Sequence, residues 1–330
     1  MATLGFDTSN YTTSAALYSS ETGEIIQKKK LLPVQEGAVG IRQSDAVFEH
    51  VRQAPEILEA LFSEESPTIQ AVGASISPRD LPDSYMPCFL VGKSLALSAA
   101  KSLGVPFYGF SHQAGHIAAA LYSAGQLSLL EKPFLAFHAS GGTTELLKVE
   151  PDSQKIFTIT IVGETMDLNA GQAVDRVGAL LGLRFPAGPA LEELAGGTLG
   201  LQMKNPKTKG ILRGTNCSLS GVENRALQFQ KAGMPENEIA QFVLASLART
   251  IIQMVEEAFI LEGSLPIVFA GGVLSNQLIQ QEIYTALSGE KQKIFFADPE
   301  FARDNAAGIA ILTALRNERE NHANYYSSCP

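Results

Sequence analysis

A repeat constrains this chain more than any other feature. Leu135–Leu147 reads LAFHASGGTTELL and Leu4–Leu17 reads LGFDTSNYTTSAAL. A shift of 131 positions, without a gap, lays Leu4 on Leu135, Phe6 on Phe137, Ser9 on Ser140, Thr12 on Thr143 and Thr13 on Thr144. Each copy is an apolar run, a polar turn and a second apolar run, the pattern of strand, turn and strand. In the later copy Gly141 and Gly142 supply the backbone freedom that a tight turn needs. The same unit opening each half predicts a duplicated domain. Amides and hydroxyls at Ser140, Thr143 and Thr144 form a natural cradle for phosphate oxygens. Two such hairpins facing each other across a cleft would grip one phosphorylated ligand from both sides.

At 330 residues the chain is long enough for two cores. A hydrophobic share of 45% with 18% charged residues is that of a globular protein. No run of about 18 apolar residues occurs, so no membrane span is expected. MATLGFDTSN lacks the basic-then-apolar order of a signal peptide. Cys88, Cys217 and Cys329 are far apart and odd in number, which fits reduced thiols in a cytoplasm. A net charge of −9 argues against unaided nucleic-acid binding. Lys204, Lys207, Lys209 and Arg213 make a local basic stretch that reads as a solvated loop.

Along the chain, strands and helices alternate, which predicts an α/β fold. Strands are expected over Glu24–Leu32, Ala71–Ser77, Val105–Phe110, Phe157–Val162, Ile267–Ala270 and Ile294–Phe296. Helices are expected over Asp45–Phe62 (interrupted by Pro55), Cys88–Leu103, Asn169–Leu183 and Glu236–Leu261, and from Asp304 onward. The tail beyond Asn317 is polar and expected to fray. The strand ending in Gly271-Gly272 would let a ligand approach backbone closely.

Ser111 caps a helix that carries His112 and His116. Four residues apart, both imidazoles lie on one helix face, a spacing suited to a zinc or iron ion. Two unrelated helix histidines are the bland alternative. The chain has only five histidines, however, and a third, His138, sits in the repeated hairpin. Asp7, its counterpart under the shift, is expected to face it from the other half. These facts place metal binding ahead.

The two hairpins, the HxxxH helix and the blocks GETMDLNAGQAVDRVGALLGLRFPAGPALEELA, FAGGVLSN and RDNAAGIA, in this order, resemble the TsaD family. Its members are tRNA threonylcarbamoyladenosine transferases, once catalogued as O-sialoglycoprotein endopeptidases. The resemblance runs from about Leu4 to Leu315, and Gly163–Ala195 is its most specific part. It implies the actin-like ATPase fold, with two duplicated ribonuclease-H-like domains and a central cleft. The first domain would span 1–117 plus about 305–325, the second 118–304. By the same resemblance His112, His116 and Asp304 are ligands of one divalent transition metal, iron or zinc, with His138 a further ligand where some relatives have a tyrosine. Contacts to an adenine nucleotide or threonylcarbamoyl-adenylate fall on His138, Ala139, Ser140, Gly141, Gly142, Asp175, Gly188, Glu192 and Asn276. The repeat adds Ser9 and the strand end adds Gly271 and Gly272. The implied partners are tRNA and TsaB-like and TsaE-like proteins, with no membrane.

The chain departs from the family pattern at several points. HQAGH lacks the acidic residue between the histidines. SGGTT puts Thr143 where His or Asn is usual, and DTSNYTT has lost the acidic residues of the ETSCDET-like turn. Pro78-Arg79-Asp80 replaces a GPG turn, and CSLSGVE puts Glu223 at a basic position. The pattern is that of a diverged paralogue. Three functions follow in order: a threonylcarbamoyl transferase acting on tRNA, a paralogue with a different acceptor, and a non-catalytic partner subunit, which a preserved ligand set disfavours. A sugar kinase needs no HxxxH pair, and a zinc peptidase needs the glutamate that HQAGH lacks.

Overall fold

Twelve strands and nine helices are formed by the residues that the computed structural model describes, 1–9, 11–33, 41–63, 67–197, 211–289 and 292–327. They run β1 (Ala2–Asp7), β2 (Thr12–Tyr18), β3 (Ile25–Leu31), α1 (Gln43–Leu61), β4 (Ile69–Ser77), α2 (Phe89–Leu103), β5 (Phe107–Ser111) and α3 (His112–Ser123). Then come β6 (Phe134–Ala139), β7 (Thr144–Asp152), β8 (Ile156–Glu164), α4 (Ala170–Leu180), α5 (Gly188–Ala195), β9 (Ile211–Arg213), β10 (Asn216–Ser218) and α6 (Ser220–Lys231). The chain closes with α7 (Glu236–Glu262), β11 (Ile267–Ala270), α8 (Gln277–Leu287), β12 (Ile294–Phe296) and α9 (Ala307–Ser327).

Packing divides the chain into two units. Met1–Leu127, Asp152–Phe157 and Arg303–Pro330 form the first; Ser128–Pro151 and Thr158–Ala302 form the second. A boundary at residue 117 would cut α3, a continuous helix, so the first unit runs on to Leu127. Asp304, expected in the second domain, belongs to the first unit with the two histidines.

The duplication is visible in the sheets. The first unit has the order β3-β2-β1-β4-β5, and the second has β8-β7-β6-β11-β12. In the first, Leu4 faces Leu17 and Phe6 faces Ala15; in the second, Leu135 faces Lys148 and Phe137 faces Leu146. Both registers are related by the same shift of 131. It also carries the first residue of β3, Ile25, onto Ile156, the first of β8. Each central strand has an antiparallel neighbour on one side and a parallel one on the other: β1 between β2 and β4, β6 between β7 and β11.

Strand alternation decides which side chains reach which layer. In the first unit Leu4 and Phe6 of β1 cluster with Ile57 and Leu61 of α1 and Ala96 and Ala100 of α2. The alternate positions Thr3 and Gly5 face α9: Thr3 Oγ1 donates to the carbonyl of Ala310 at 2.8 Å, and a Cβ on Gly5 would stand 2.5 Å from the Ala310 nitrogen. Asp7, next in that series, points toward the same layer. In the second unit Leu135, Phe137 and Leu146 pack with the buried faces of α4, α7 and α8. Helix α7 is long and apolar enough to cross a membrane by composition, but 78% of its most apolar stretch is buried in the structure.

Several expectations change. Helix α1 continues through Pro55 rather than breaking there. The polar tail does not fray at Asn317. That residue is buried, α9 runs on to Ser327, Arg316 Nε pairs with Glu320 Oε1 at 2.9 Å, and the Tyr108 hydroxyl donates to Glu320 Oε2 at 2.9 Å. The β9–β10 hairpin, α6 and α8 add elements that the apolar pattern did not separate. Lys204, Lys207, Lys209 and Cys329 lie outside the described residues, whereas Cys88 and Cys217 are buried thiols.

Candidate metal centre and nucleotide-binding turn

In the first unit β5 runs directly into α3. Ser111 ends the strand, and its hydroxyl accepts a hydrogen bond from the Ala114 amide at 3.2 Å, capping the helix. His112 is therefore the first helical residue and His116 lies one turn on, with their Nε2 atoms 2.9 Å apart. Asp304 arrives from the approach to α9. Its Oδ1 lies 3.4 Å from His112 Nε2 and 3.3 Å from His116 Nε2. Two features fix this carboxylate. Asn305 caps α9, its Oδ1 accepting from the Ala307 amide at 3.0 Å. Gly308 of α9 sits so tightly on the Gly115 carbonyl of α3 that a Cβ there would overlap it.

The donor set fits a transition metal. Two imidazole nitrogens and a carboxylate oxygen lie within 4.8 Å of one another. Bonds of about 2.1 Å in a tetrahedral shell separate ligand atoms by about 3.4 Å. The Asp304 contacts already have that spacing, and the two ring nitrogens need to part only slightly. Among the described residues this group comprises His112, His116 and Asp304.

Behind the centre, Asp7 Oδ2 lies 2.6 Å from His112 Nδ1, and Asp7 Oδ1 accepts from the Ser9 amide at 2.7 Å. Burial alone would lower the His112 pKa, but Asp7 and Asp304 outweigh it and raise the value to about 10. Burial likewise works against ionised Asp304, yet hydrogen bonds and charge from His112 and His116 hold its pKa well below the usual range. Gln113 and Ala114, between the histidines, are buried and carry no carboxylate, so the helix lacks the base of an HExxH peptidase.

In the second unit the turn between β6 and β7 closes on Ser140. Its hydroxyl accepts from the amides of Gly142 and Thr143, both at 3.2 Å, and its own amide donates to the Thr143 carbonyl at 2.8 Å. Two amides expected to be free for phosphate are thus engaged within the turn. Neither Gly141 nor Gly142 has a left-handed backbone, because the serine hydroxyl does the closing. A Cβ on either would meet only open space. Thr143 Oγ1 lies 3.1 Å from Nδ1 of His138, the residue on β6.

The N-terminus of α4 is seated on this turn. Asn169 Nδ2 donates to the Gly142 carbonyl at 3.0 Å, the Gly171 amide to the Ser140 carbonyl at 3.1 Å, and the Ala170 amide to Thr144 Oγ1 at 2.8 Å. Gly271, at φ +105°, presses on the Ala139 carbonyl, where no Cβ fits; Gly272 faces open space. The remaining residues brace this frame. Asp175 Oδ1 accepts from the Ala187 amide at 2.9 Å, just before Gly188 opens α5. Glu192 Oε1 accepts from the Gln277 amide at 2.7 Å, and Asn276 Oδ1 from the Ile279 amide at 3.0 Å. Burial raises the Asp175 pKa.

The structure brings His112, His116 and Asp304 together in one unit, and gathers His138, Ala139, Ser140, Gly141, Gly142 and Gly271 at one turn of the other. Ser9 is 1% exposed, its amide turned onto Asp7. Asp7, expected to face His138, pairs with His112 of its own unit. One residue with a structural role here escaped the sequence reading. Asp167 accepts from the amides of Leu168 at 2.6 Å and Leu219 at 2.7 Å and from the Ser220 hydroxyl at 2.6 Å, tying the block before α4 to α6.

Two α/β units of matching strand order define the class, the actin-like ATPase fold. The activator of 2-hydroxyisocaproyl-CoA dehydratase from Clostridium difficile, solved with ADPNP, superposes with a TM-score of 0.52 at 12% identity over 98% of each chain. HypF of T. kodakarensis gives 0.56 at 14% identity over 98% of this chain and 48% of its own. At such identities the likeness is one of fold. The family model of TsaD, tRNA N6-adenosine threonylcarbamoyltransferase, matches residues 24–311, and the chain belongs to that family. A curated tRNA N6-adenosine threonylcarbamoyltransferase of Herminiimonas arsenicoxydans is 30% identical over 325 residues, covering 96% of this chain and 92% of the relative.

Proposed function

We propose that the chain transfers a threonylcarbamoyl group from an adenylate to the exocyclic amine of a tRNA adenosine. The observation that carries this reading is the convergence of His112, His116 and Asp304 in a member of the TsaD family. These residues would hold one divalent iron or zinc ion. Such an ion supplies Lewis acidity toward the carbamoyl carbonyl. The chain's own part is positioning: Gly141, Gly142 and Gly272, which face open space, would let the nucleotide approach the backbone, while Asp175, Glu192 and Asn276 brace the starts of the surrounding helices through the amides of Ala187, Gln277 and Ile279. An N–C bond forms to adenosine as the amine gives up one proton to solvent, the C–O bond to the adenylate breaks, and the nucleotide phosphate leaves with the electron pair. TsaB-like and TsaE-like partners belong to the same reading, as the acidic chain would not hold tRNA unaided.

The test is complementation of a strain that lacks its transferase, with the modified adenosine measured by mass spectrometry. Restored modification supports the reading. A well-expressed chain that restores none contradicts it.

One observation favours a second reading, a paralogue with a smaller acceptor. Glu223, at a position basic in the family, pairs with Arg176 at 3.1 Å. It thereby neutralises a cation that an RNA phosphate would otherwise meet. Complementation by a Glu223→Lys variant but not by the native chain would support this alternative.

A further inference from the structure

We infer that Asp7 is a positioning residue for the metal centre, acting through the ring of His112; the inference rests on the metal reading above. The two nitrogens of an imidazole point away from each other, so a group bound at Nδ1 cannot share an ion bound at Nε2. Asp7 Oδ2 occupies the Nδ1 side at 2.6 Å, while His116 Nε2 and Asp304 Oδ1 lie on the Nε2 side. A carboxylate accepts a hydrogen bond and cannot donate one, so the proton stays on Nδ1 and the Nε2 lone pair is directed at the ion. Such carboxylate–histidine pairs set the tautomer, the orientation and the basicity of the ligand.

Asp7 is built for this task. It is 1% exposed, the last residue of β1, and directed by strand alternation toward the layer of α9. Its Oδ1 is held by the Ser9 amide at 2.7 Å, and its carbonyl accepts from the Ser14 hydroxyl at 3.1 Å. On its other side the His112 ring meets Phe89 edge to face, with centroids 6.1 Å apart. The ring is therefore fixed before any ion arrives.

The test uses the full chain and zinc alone. Competition with a chromophoric chelator gives the zinc dissociation constant of wild type, Asp7→Asn, Asp7→Ala and His112→Ala, and the 15N shifts of labelled histidine rings give the tautomer. Zinc-loaded wild type should carry the His112 proton on Nδ1. Asp7→Ala should bind zinc about 10–100-fold more weakly, and Asp7→Asn, which keeps an acceptor without the charge, should recover part of that loss. Asp7→Ala binding as tightly as wild type, while His112→Ala loses zinc, would overturn the proposal alone. A wild-type chain that takes up no zinc overturns the metal reading and this proposal with it. Should Asp7→Ala fail to fold, a wild-type His112 ring protonated on Nε2 in the zinc form still overturns it.

Discussion

His50 and His112 place opposite demands on the proton. His50 is fully buried, with Nδ1 2.8 Å from Thr13 Oγ1, whose own hydroxyl donates to Gln53 Oε1 at 2.9 Å. Burial lowers its pKa to about 4, outweighing the opposing charge of Asp7. As pH falls from 6.5 to 4 the unfolded chain takes up the proton first, so stability declines by up to about 1.4 kcal/mol per pH unit. His112, raised to about 10, acts the other way. In the metal-free chain its contribution is complete below pH 6.5 and is lost as pH rises through 10. Urea unfolding of wild type and His50→Gln at pH 7 and 5 should show a smaller acid loss in the variant. Equal losses would clear His50 of the effect. At the centre itself, wild type should carry about one transition metal per chain and the His112→Ala, His116→Ala double variant none, read by elemental analysis. A metal-free wild type after exposure to iron and zinc would refute the site.

At the scale of elements, close approach of backbone sets both sites. Helices α3 and α9 cross at Gly115 and Gly308, and this contact delivers Asp304 to the imidazoles. Gly308→Ala should cost about 1–3 kcal/mol through overpacking, lower the melting temperature by several degrees and weaken zinc binding. Unchanged stability would mean that the helices have room to part. Gly271→Ala combines a left-handed backbone with a clash on the Ala139 carbonyl and should destabilise the second unit. Gly272→Asp, facing open space, should spare stability and abolish stabilisation by adenine nucleotides. Retained nucleotide stabilisation in Gly272→Asp would remove this strand end from the nucleotide site.

Much at this scale was legible in the residues. The shift of 131 extends to strand register and to the start of β3 and β8. The helical spacing of His112 and His116 and the Ser111 cap translate into geometry directly, because each is local. Asp7 and its ring partner are 105 positions apart and meet only once β1, β4 and β5 are layered against α3, so no local pattern joins them. The turn was half legible. Its place was plain, but the glycines signalled a strained backbone where Ser140 makes the closing bonds instead. Short elements such as β9 and β10, at 3 residues each, carry too few positions for a period to show.

For the whole molecule, two units built on the same strand order each bear one conspicuous constellation, metal donors in the first and an open backbone turn in the second. Each should report its ligand as added stability that grows with the logarithm of ligand concentration above the dissociation constant. Millimolar adenine nucleotide should raise the melting temperature, and a chelator should lower that of the metal-loaded chain. A melting temperature indifferent to nucleotide would favour a partner-subunit role. The most direct measurement is the content of N6-threonylcarbamoyladenosine in tRNA from a transferase-deficient strain expressing either this chain or its Asp304→Ala variant. The account predicts modified adenosine with the native chain and none with Asp304→Ala. Modified adenosine with both would contradict the role given to the metal centre, and its absence with a well-folded native chain would contradict the assigned reaction.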